Sequence, residues 1–360
     1  MWPDRRLLEL LDIELPIIQA PMAGATGGAM AVAVIESGGL GSLPCALLDA
    51  ERVRAEIGVI RQRTDRPLNV NFFCHAVPEP DTERAEHWDA QFASYRAEFG
   101  LDPSSAASTS DRAPFDDAMC DVLEECRPEV VSFHFGLPEP RLLDRVKALG
   151  CKVLSSATTV REARWLAVHG CDAVIAQGCE AGGHRGMFLT NAVDSQPGTM
   201  ALVPQVVDAV DVPVIAAGGI ADGRGIAAAF ALGAAGVQIG TAFLLTSESM
   251  ISGLHRDALE SARDDGTVLT NVFTGRPARG LINRIVREVG PMSPEVPAFP
   301  TAGAATASLR SAAEAAGSSE FSPLWSGQAA SLSRSGGAGE LTRELAASAL
   351  ERLGMLSRPD

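Results

Sequence analysis

The chain has 360 residues, a formal net charge of −15 and only two lysines, Lys147 and Lys152. An excess of acid on that scale disfavours nucleic acid or an anionic membrane as partner, since both require basic patches. Hydrophobic content of 46% and charged content of 21% are globular, and the length suits an α/β barrel of ~250 residues with added segments.

The opening stretch MWPDRRLLELLDIELP interrupts its apolar runs with charges, and no later run is long enough to span a bilayer. The seven cysteines include no CxxC pair and the six histidines are dispersed, so spacing assembles no metal site and the thiols read as free. A cytoplasmic protein is the expectation.

Short β-rich runs then recur in chain order: PIIQAP at 16–21, GLGSL at 39–43, LNVNFF at 68–73, VVSFHFG at 130–136, KVLSSAT from Lys152, AVIAQG from Ala173, PVIAAGG from Pro213 and GVQIGTAF from Gly236. Most are continuously apolar, as expected of strands buried on both faces of a parallel sheet. Stretches of helical apolar spacing lie between them, among them ERVRAEIGVIRQR, EPRLLDRVKALG, VREARWLAVHG and GRGIAAAFALG. The alternation predicts an α/β protein, a (β/α)8 TIM-like barrel over residues 1–245. An insertion of about residues 78–128, with a Ser/Ala/Asp-rich link at 103–113, follows the third strand. A segment from 246 to 360 is expected to cover the barrel, with ELTRELAASALERLG as an amphipathic helix packed on it.

Barrels of this kind bind ligands at the carboxyl ends of their strands, and phosphate at the loops after strands seven and eight. Those loops carry Gly218 with Gly219 and Gly240 with Thr241, where backbone N–H groups can approach an anion. Other strand ends are polar: Gln19 leads into Ala20 and Met22, Asn71 closes strand three, His134 lies in strand four and Gln177 closes strand six. Amides that both donate and accept suit the edge of a heteroaromatic ring. With a phosphate site they point to FMN; pyridoxal phosphate would need a lysine at the carboxyl end of a strand, whereas Lys147 falls in a helix and Lys152 at the amino end of strand five. Between strands six and seven, CEAGGHRG sets Gly182 and Gly183 before His184 and Arg185 after it, a loop with room for close approach beside an imidazole. Arg185 is open to three readings, a group that steers an anionic substrate, a partner of the FMN phosphate or a surface ion pair. His87, His169 and His255 read as surface or helix positions, and His75 as incidental.

The blocks QAPMAG, GGLGSL, NVNFF, SFHFG, AQGCEAGGHRG, LVPQVVDAVDVPVIAAGGIADGRG, VQIGTAFL, FTGRPARG and LWSGQ, in order from about 16 to 330, resemble the nitronate monooxygenase family. The resemblance implies FMN at the mouth of a TIM-like barrel, a tail that covers it, and oxidation of alkyl nitronates by O₂ to a carbonyl compound and nitrite. It implies FMN contacts at Met22, Asn71, Gln177, Gly182, Gly219, Gln238, Ile239, Gly240 and Thr241, with Ala20, Gly183 and Gly218 beside them. His184 takes the place of the active-site histidine, as a base or as a group that binds the nitronate. His134 is open to two readings, a second polar contact in catalysis or a core histidine bonded to a neighbouring carbonyl. An FMN-dependent NAD(P)H enoyl-thioester reductase and a flavin-free sugar-phosphate barrel are the alternatives. Partners are a small nitronate and O₂, on a monomer or homodimer.

Overall fold

The apolar runs become parallel strands because each is buried on both sides, by side chains inside the barrel and by helices outside it. The computed structural model describes residues 1–102 and 112–356, so most of the Ser/Ala/Asp-rich link lies outside the described residues. In chain order the strands are β1 (Ile17–Gln19), β2 (Gly41–Pro44), β3 (Leu68–Phe73), β4 (Val130–His134), β5 (Lys152–Ala157), β6 (Ala173–Gln177), the two-residue β7 (Gly183–His184), β8 (Val214–Ala217), β9 (Gly236–Ile239), β10 (Thr267–Thr270) and β11 (Ala278–Leu281). Eight of them form one parallel sheet in the order β1-β9-β8-β6-β5-β4-β3-β2. A parallel bridge between Ile18 and Leu40 brings its two edges together, with Gln19 N–H on Leu40 O at 3.0 Å and Leu40 N–H on Ile17 O at 2.9 Å. The expected TIM-like barrel is the fold.

Inside, Ile18, Leu40, Leu154, Ile175 and Ile215 form a buried layer, and Leu7 and Leu11 of the helix Arg6–Leu11 plug its amino-terminal end. That end is thereby filled with hydrocarbon, and polar side chains collect at the other. Asp49, Asp116, Thr159 and Asp222 accept backbone N–H groups at the starts of the helices that follow strands, which satisfies donors a helix leaves unpaired.

Parts of both added segments pack on the outer ring of the barrel. The helix Asp117–Cys126, assigned to the insertion, packs between Ala50–Arg61 and Pro140–Ala148 as a member of the outer ring. Likewise Ala338–Leu356 packs on Gly223–Ala231 and Gly28–Ile35, so the end of the chain returns to the ring after the cap has been built. The insertion proper contributes Thr82–Ala90 and Ala93–Glu98. Trp88 of the first and Phe92, between the two, share a buried cluster with Val272, Phe273, Ile285, Leu309 and Phe321 of the tail. Trp88 Nε1 donates to Ala302 O at 3.2 Å. Arg96, fully buried, pairs with Asp89 and donates to Ala305 O at 2.7 Å. Insertion and tail are thus one cap with its own core, joined by β10, β11 and β7 in a three-stranded antiparallel sheet.

Removing a buried tryptophan typically costs 3–5 kcal/mol, and here that loss falls on a core shared by two segments. Trp88→Ala is expected to lower hydrogen-exchange protection in Thr82–Ala90 and in Ala307–Ala315 together while barrel strands keep theirs. Loss confined to the insertion would contradict a shared core.

Candidate active site

A cavity of about 560 Å³ opens at the carboxyl ends of the barrel strands, under the cap, a size typical of small-molecule and cofactor sites. Ala20, Met22, Asn71, His134, Gln177, Gly182, Gly183, His184, Gly218, Gly219, Gln238, Gly240 and Thr241 all line it. Ile239 does not: its side chain is buried in the layer between sheet and helices, and its carbonyl accepts from Ala20 N–H at 2.8 Å.

The loop after β6 is held from several sides. Gln177 uses both ends of its amide on it, Nε2 donating to His184 O at 3.0 Å and Oε1 accepting from Gly186 N–H at 2.8 Å. His134 Nε2 lies 3.2 Å from the same His184 carbonyl. A carbonyl only accepts, so Nε2 carries the proton and Nδ1 accepts from Ser156 Oγ at 3.1 Å. Burial, then the charge of Arg276, push the His134 pKa down to about 3, so the ring is neutral. His134, expected as a catalytic contact, therefore positions the loop. Arg185 is neither a steering group nor a surface ion pair: it is fully buried, with Nε on Gln196 Oε1 at 2.7 Å, Nη1 on Gly178 O at 2.6 Å and Nη2 on Gln177 O at 2.7 Å. Gly182 lines the cavity and also answers a packing need. A Cβ there would lie 2.5 Å from Gly327 N, so glycine lets the tail cross the loop. That crossing is pinned by Gly327 N–H on Thr241 Oγ1 at 2.9 Å and Gln328 N–H on Glu180 O at 3.0 Å.

His184 itself pairs with Ala278 of β11 across the cap sheet. Its Nε2 lies 2.9 Å from Thr274 Oγ1, and the Thr274 hydroxyl donates to Arg276 O at 3.4 Å. With that hydrogen committed, the oxygen accepts, Nε2–H donates and Nδ1 is left as the basic nitrogen. Phe299 and Trp325 stand 5.3 and 5.5 Å from the ring, with Phe135 and Phe73 behind them. Phe135 holds a φ of 71°, a left-handed conformation disfavoured for a large side chain and typical of positions under functional constraint. Burial first, then Arg112, His134, Arg276 and His75, hold the His184 pKa well below its ordinary value. The imidazole is neutral at pH 7.

Across the cavity, Gly218 and Gly219 have φ of 110° and 69°, values that side-chain-bearing residues rarely adopt. The N–H groups of Gly219 and Gly240 donate to no protein acceptor among the described residues. Gln238 Oε1 is buried without a partner. Gln19, by contrast, is spent inside the protein, accepting from Ser42 N–H at 2.9 Å and donating to Ala20 O.

The cap adds residues that sequence reasoning missed. Arg112, Arg310, Glu314, Ser322 and Trp325 line the cavity, as does His255, which is buried and reaches Trp325 O at 3.2 Å. Only LWSGQ had marked that part of the tail. His75 is buried against Phe299, whereas His87 and His169 are exposed as expected. The seven cysteines are free. Among the described residues no cluster could hold a metal ion, and no helix is long and apolar enough to cross a membrane.

Four histidines with lowered pKa values give the fold a pH signature. Burial is the leading cause in each case, taking His75 and His255 to about 4, His134 to about 3 and His184 well down. Unfolding restores an ordinary pKa near 6.5, so below that value the unfolded chain binds more protons and stability falls with pH. Each such group can cost about 2 kcal/mol between pH 7 and pH 5. Denaturant titrations are expected to show that decline; equal stability at the two pH values would contradict four neutral rings.

Residues 4–348 match the model of the nitronate monooxygenase family. A nitronate monooxygenase of Pseudomonas aeruginosa is 44% identical over 342 residues, covering 94% of this chain and 97% of that protein. A probable nitronate monooxygenase of Staphylococcus saprophyticus is 40% identical, over 91% of this chain and 92% of that one. Among solved structures, a nitroalkane oxidase from Streptomyces ansochromogenes superposes with a TM-score of 0.88 at 41% identity, covering 98% of this chain and all of that one. FabK from Thermotoga maritima gives 0.73 at 29% identity, with 99% of both chains covered. With its barrel, its capped cavity and a family match over nearly its whole length, the chain belongs to the nitronate monooxygenase family.

Proposed function

We propose that this protein holds FMN at the carboxyl ends of its barrel strands and uses O₂ to oxidise alkyl nitronates to a carbonyl compound and nitrite. His184 serves as general base when the substrate arrives as the neutral nitroalkane. The observation that carries the reading is the placement of His184, with Nε2 2.9 Å from Thr274 Oγ1, in the same cavity as the left-handed turn of Gly218 and Gly219.

The residues present suit the cofactor. Gln238 Oε1 lacks a donor, which a ring N–H would supply. Gly218 and Gly219 hold a left-handed turn with no Cβ to obstruct a phosphate, and the N–H groups of Gly219 and Gly240 are available to it. Asn71, bonded to Ser132 through Nδ2 (3.0 Å to Oγ), and Met22 complete the wall. Bound there, FMN would supply the redox chemistry, taking electrons from the substrate and passing them to O₂.

The chain's own residues handle the proton. A nitronate is already a carbanion equivalent and needs no base. A neutral nitroalkane must lose its α-proton, and Nδ1 of His184 is the free acceptor. The imidazolium so formed would stand beside the nitronate it produced, and that pairing offsets the burial that disfavours the charged ring. Gln177 and His134, fastened to the His184 carbonyl, fix the ring's backbone, and aromatic rings pack around it.

Purified protein is expected to be yellow or to take up FMN, and anaerobic addition of a nitronate should bleach the flavin where NADPH does not. Bleaching by NADPH alone would favour the enoyl-thioester reductase alternative, and a protein that never binds FMN would end the flavin reading.

His184→Asn should retain flavin and lose roughly 10²- to 10⁴-fold in kcat/KM on a neutral nitroalkane, with a smaller loss on the preformed nitronate. Equal losses would remove His184 from the base role.

Because the base form is present above its lowered pKa, wild-type kcat/KM for the nitroalkane should stay level from pH 8 down through 6.5. Its acid limb should lie well below that and disappear in the variant. A limb centred at 6.5 or above would contradict the assignment.

A further inference from the structure

The cavity carries one cation that nothing in the described protein neutralises. Of its charged lining residues, Arg310 and Glu314 satisfy one another, Nε to Oε1 at 2.8 Å, and Glu314 also accepts from Ser322 Oγ at 2.7 Å. Arg112 has no carboxylate partner among the described residues, and its Nε is buried without a hydrogen-bond partner. Its guanidinium carbon stands 5.8 Å from the centre of the Phe299 ring, and that ring stands 5.3 Å from His184. Phe299 thus neighbours both the cation and the imidazole, and those two line the cavity. The position is anchored nearby, since Phe115 donates its N–H to Phe73 O at the end of β3 at 2.8 Å.

An uncompensated guanidinium in a partly buried site is unfavourable unless a ligand brings the opposite charge. We propose that Arg112 is the anion-anchoring residue of this cavity, taking the two N–O oxygens of the substrate in its planar fork and holding them beside His184. A nitronate presents an O–N–O edge like that of a carboxylate, the shape a guanidinium recognises through paired N–H donors. The glycine loops after β8 and β9 offer the phosphate its own cradle, and Arg276 is turned to the Phe135 face and the Met187 carbonyl. Arg112 is therefore left for the substrate. This assignment rests on the nitronate reading for which anion arrives, while the anion site can be tested without turnover.

The probe is nitrate, a planar O–N–O anion that the enzyme cannot oxidise, titrated calorimetrically into the protein with and without saturating FMN. Wild type should bind nitrate in the presence of FMN, when the phosphate cradle is filled. Arg112→Met should weaken that binding roughly 10- to 100-fold, with Arg112→Lys intermediate. Arg112→Gln carries the same expectation as Arg112→Met should the latter fail to fold. In turnover, KM for a preformed nitronate should rise by a similar factor while KM for a neutral nitroalkane changes little. Nitrate binding that is absent in wild type, or unaltered in Arg112→Met and Arg112→Gln, would overturn the proposal. Arg112-dependent nitrate binding in a flavoprotein that no nitronate reduces would leave the anion site standing and remove only the substrate reading.

Discussion

The backbone carbonyl of His184 is the point on which the site depends. It accepts from Gln177 at the end of β6 and from His134 at the end of β4, while the ring on the same residue is fastened to Thr274 of the cap. One residue thus joins two barrel strands to a segment some ninety positions later in the chain. Because both donors to the carbonyl are neutral, the arrangement is not weakened by salt, unlike surface ion pairs. It also decides chemistry: a ring whose Nε2 is committed as a donor has only Nδ1 to offer as a base.

Charge in the cavity follows from the same geometry. The cap brings arginines near His184, and burial removes the water that would screen them, so the imidazole is kept neutral and an anion is favoured. Arg185 shows the opposite use of the same side chain. Its guanidinium ends on an amide oxygen and two backbone carbonyls, which hold the end of β6 and the start of the loop in one shape.

Much of this was legible from residues alone. Parallel strands buried on both faces are recognisable as continuous apolar runs, so all eight barrel strands could be found, and strand ends then placed His184, Asn71, Gln177 and Gln238 at one rim. What local pattern could not show was which polar groups would find partners within the protein. Gln19, Gln177 and Asn71 are all amides at strand ends, yet the first serves only backbone and the second serves the His184 loop. Ile239 sits in a glycine-rich strand end, but the alternation of side chains turns it outward to the helices. The cap was the hardest part to read. Its core joins Trp88 and Phe92 to residues about two hundred positions away, and His255 and Arg112 line the cavity from segments that no strand end marks.

The central claim concerns one proton, and nitrogen NMR on ¹⁵N-histidine-labelled protein observes it directly, with His184→Asn to assign the signal. At pH 6.5 the account predicts a neutral His184 ring with its proton on Nε2 and an unprotonated Nδ1. An imidazolium at that pH, or a proton on Nδ1 with Nε2 bare, would contradict it.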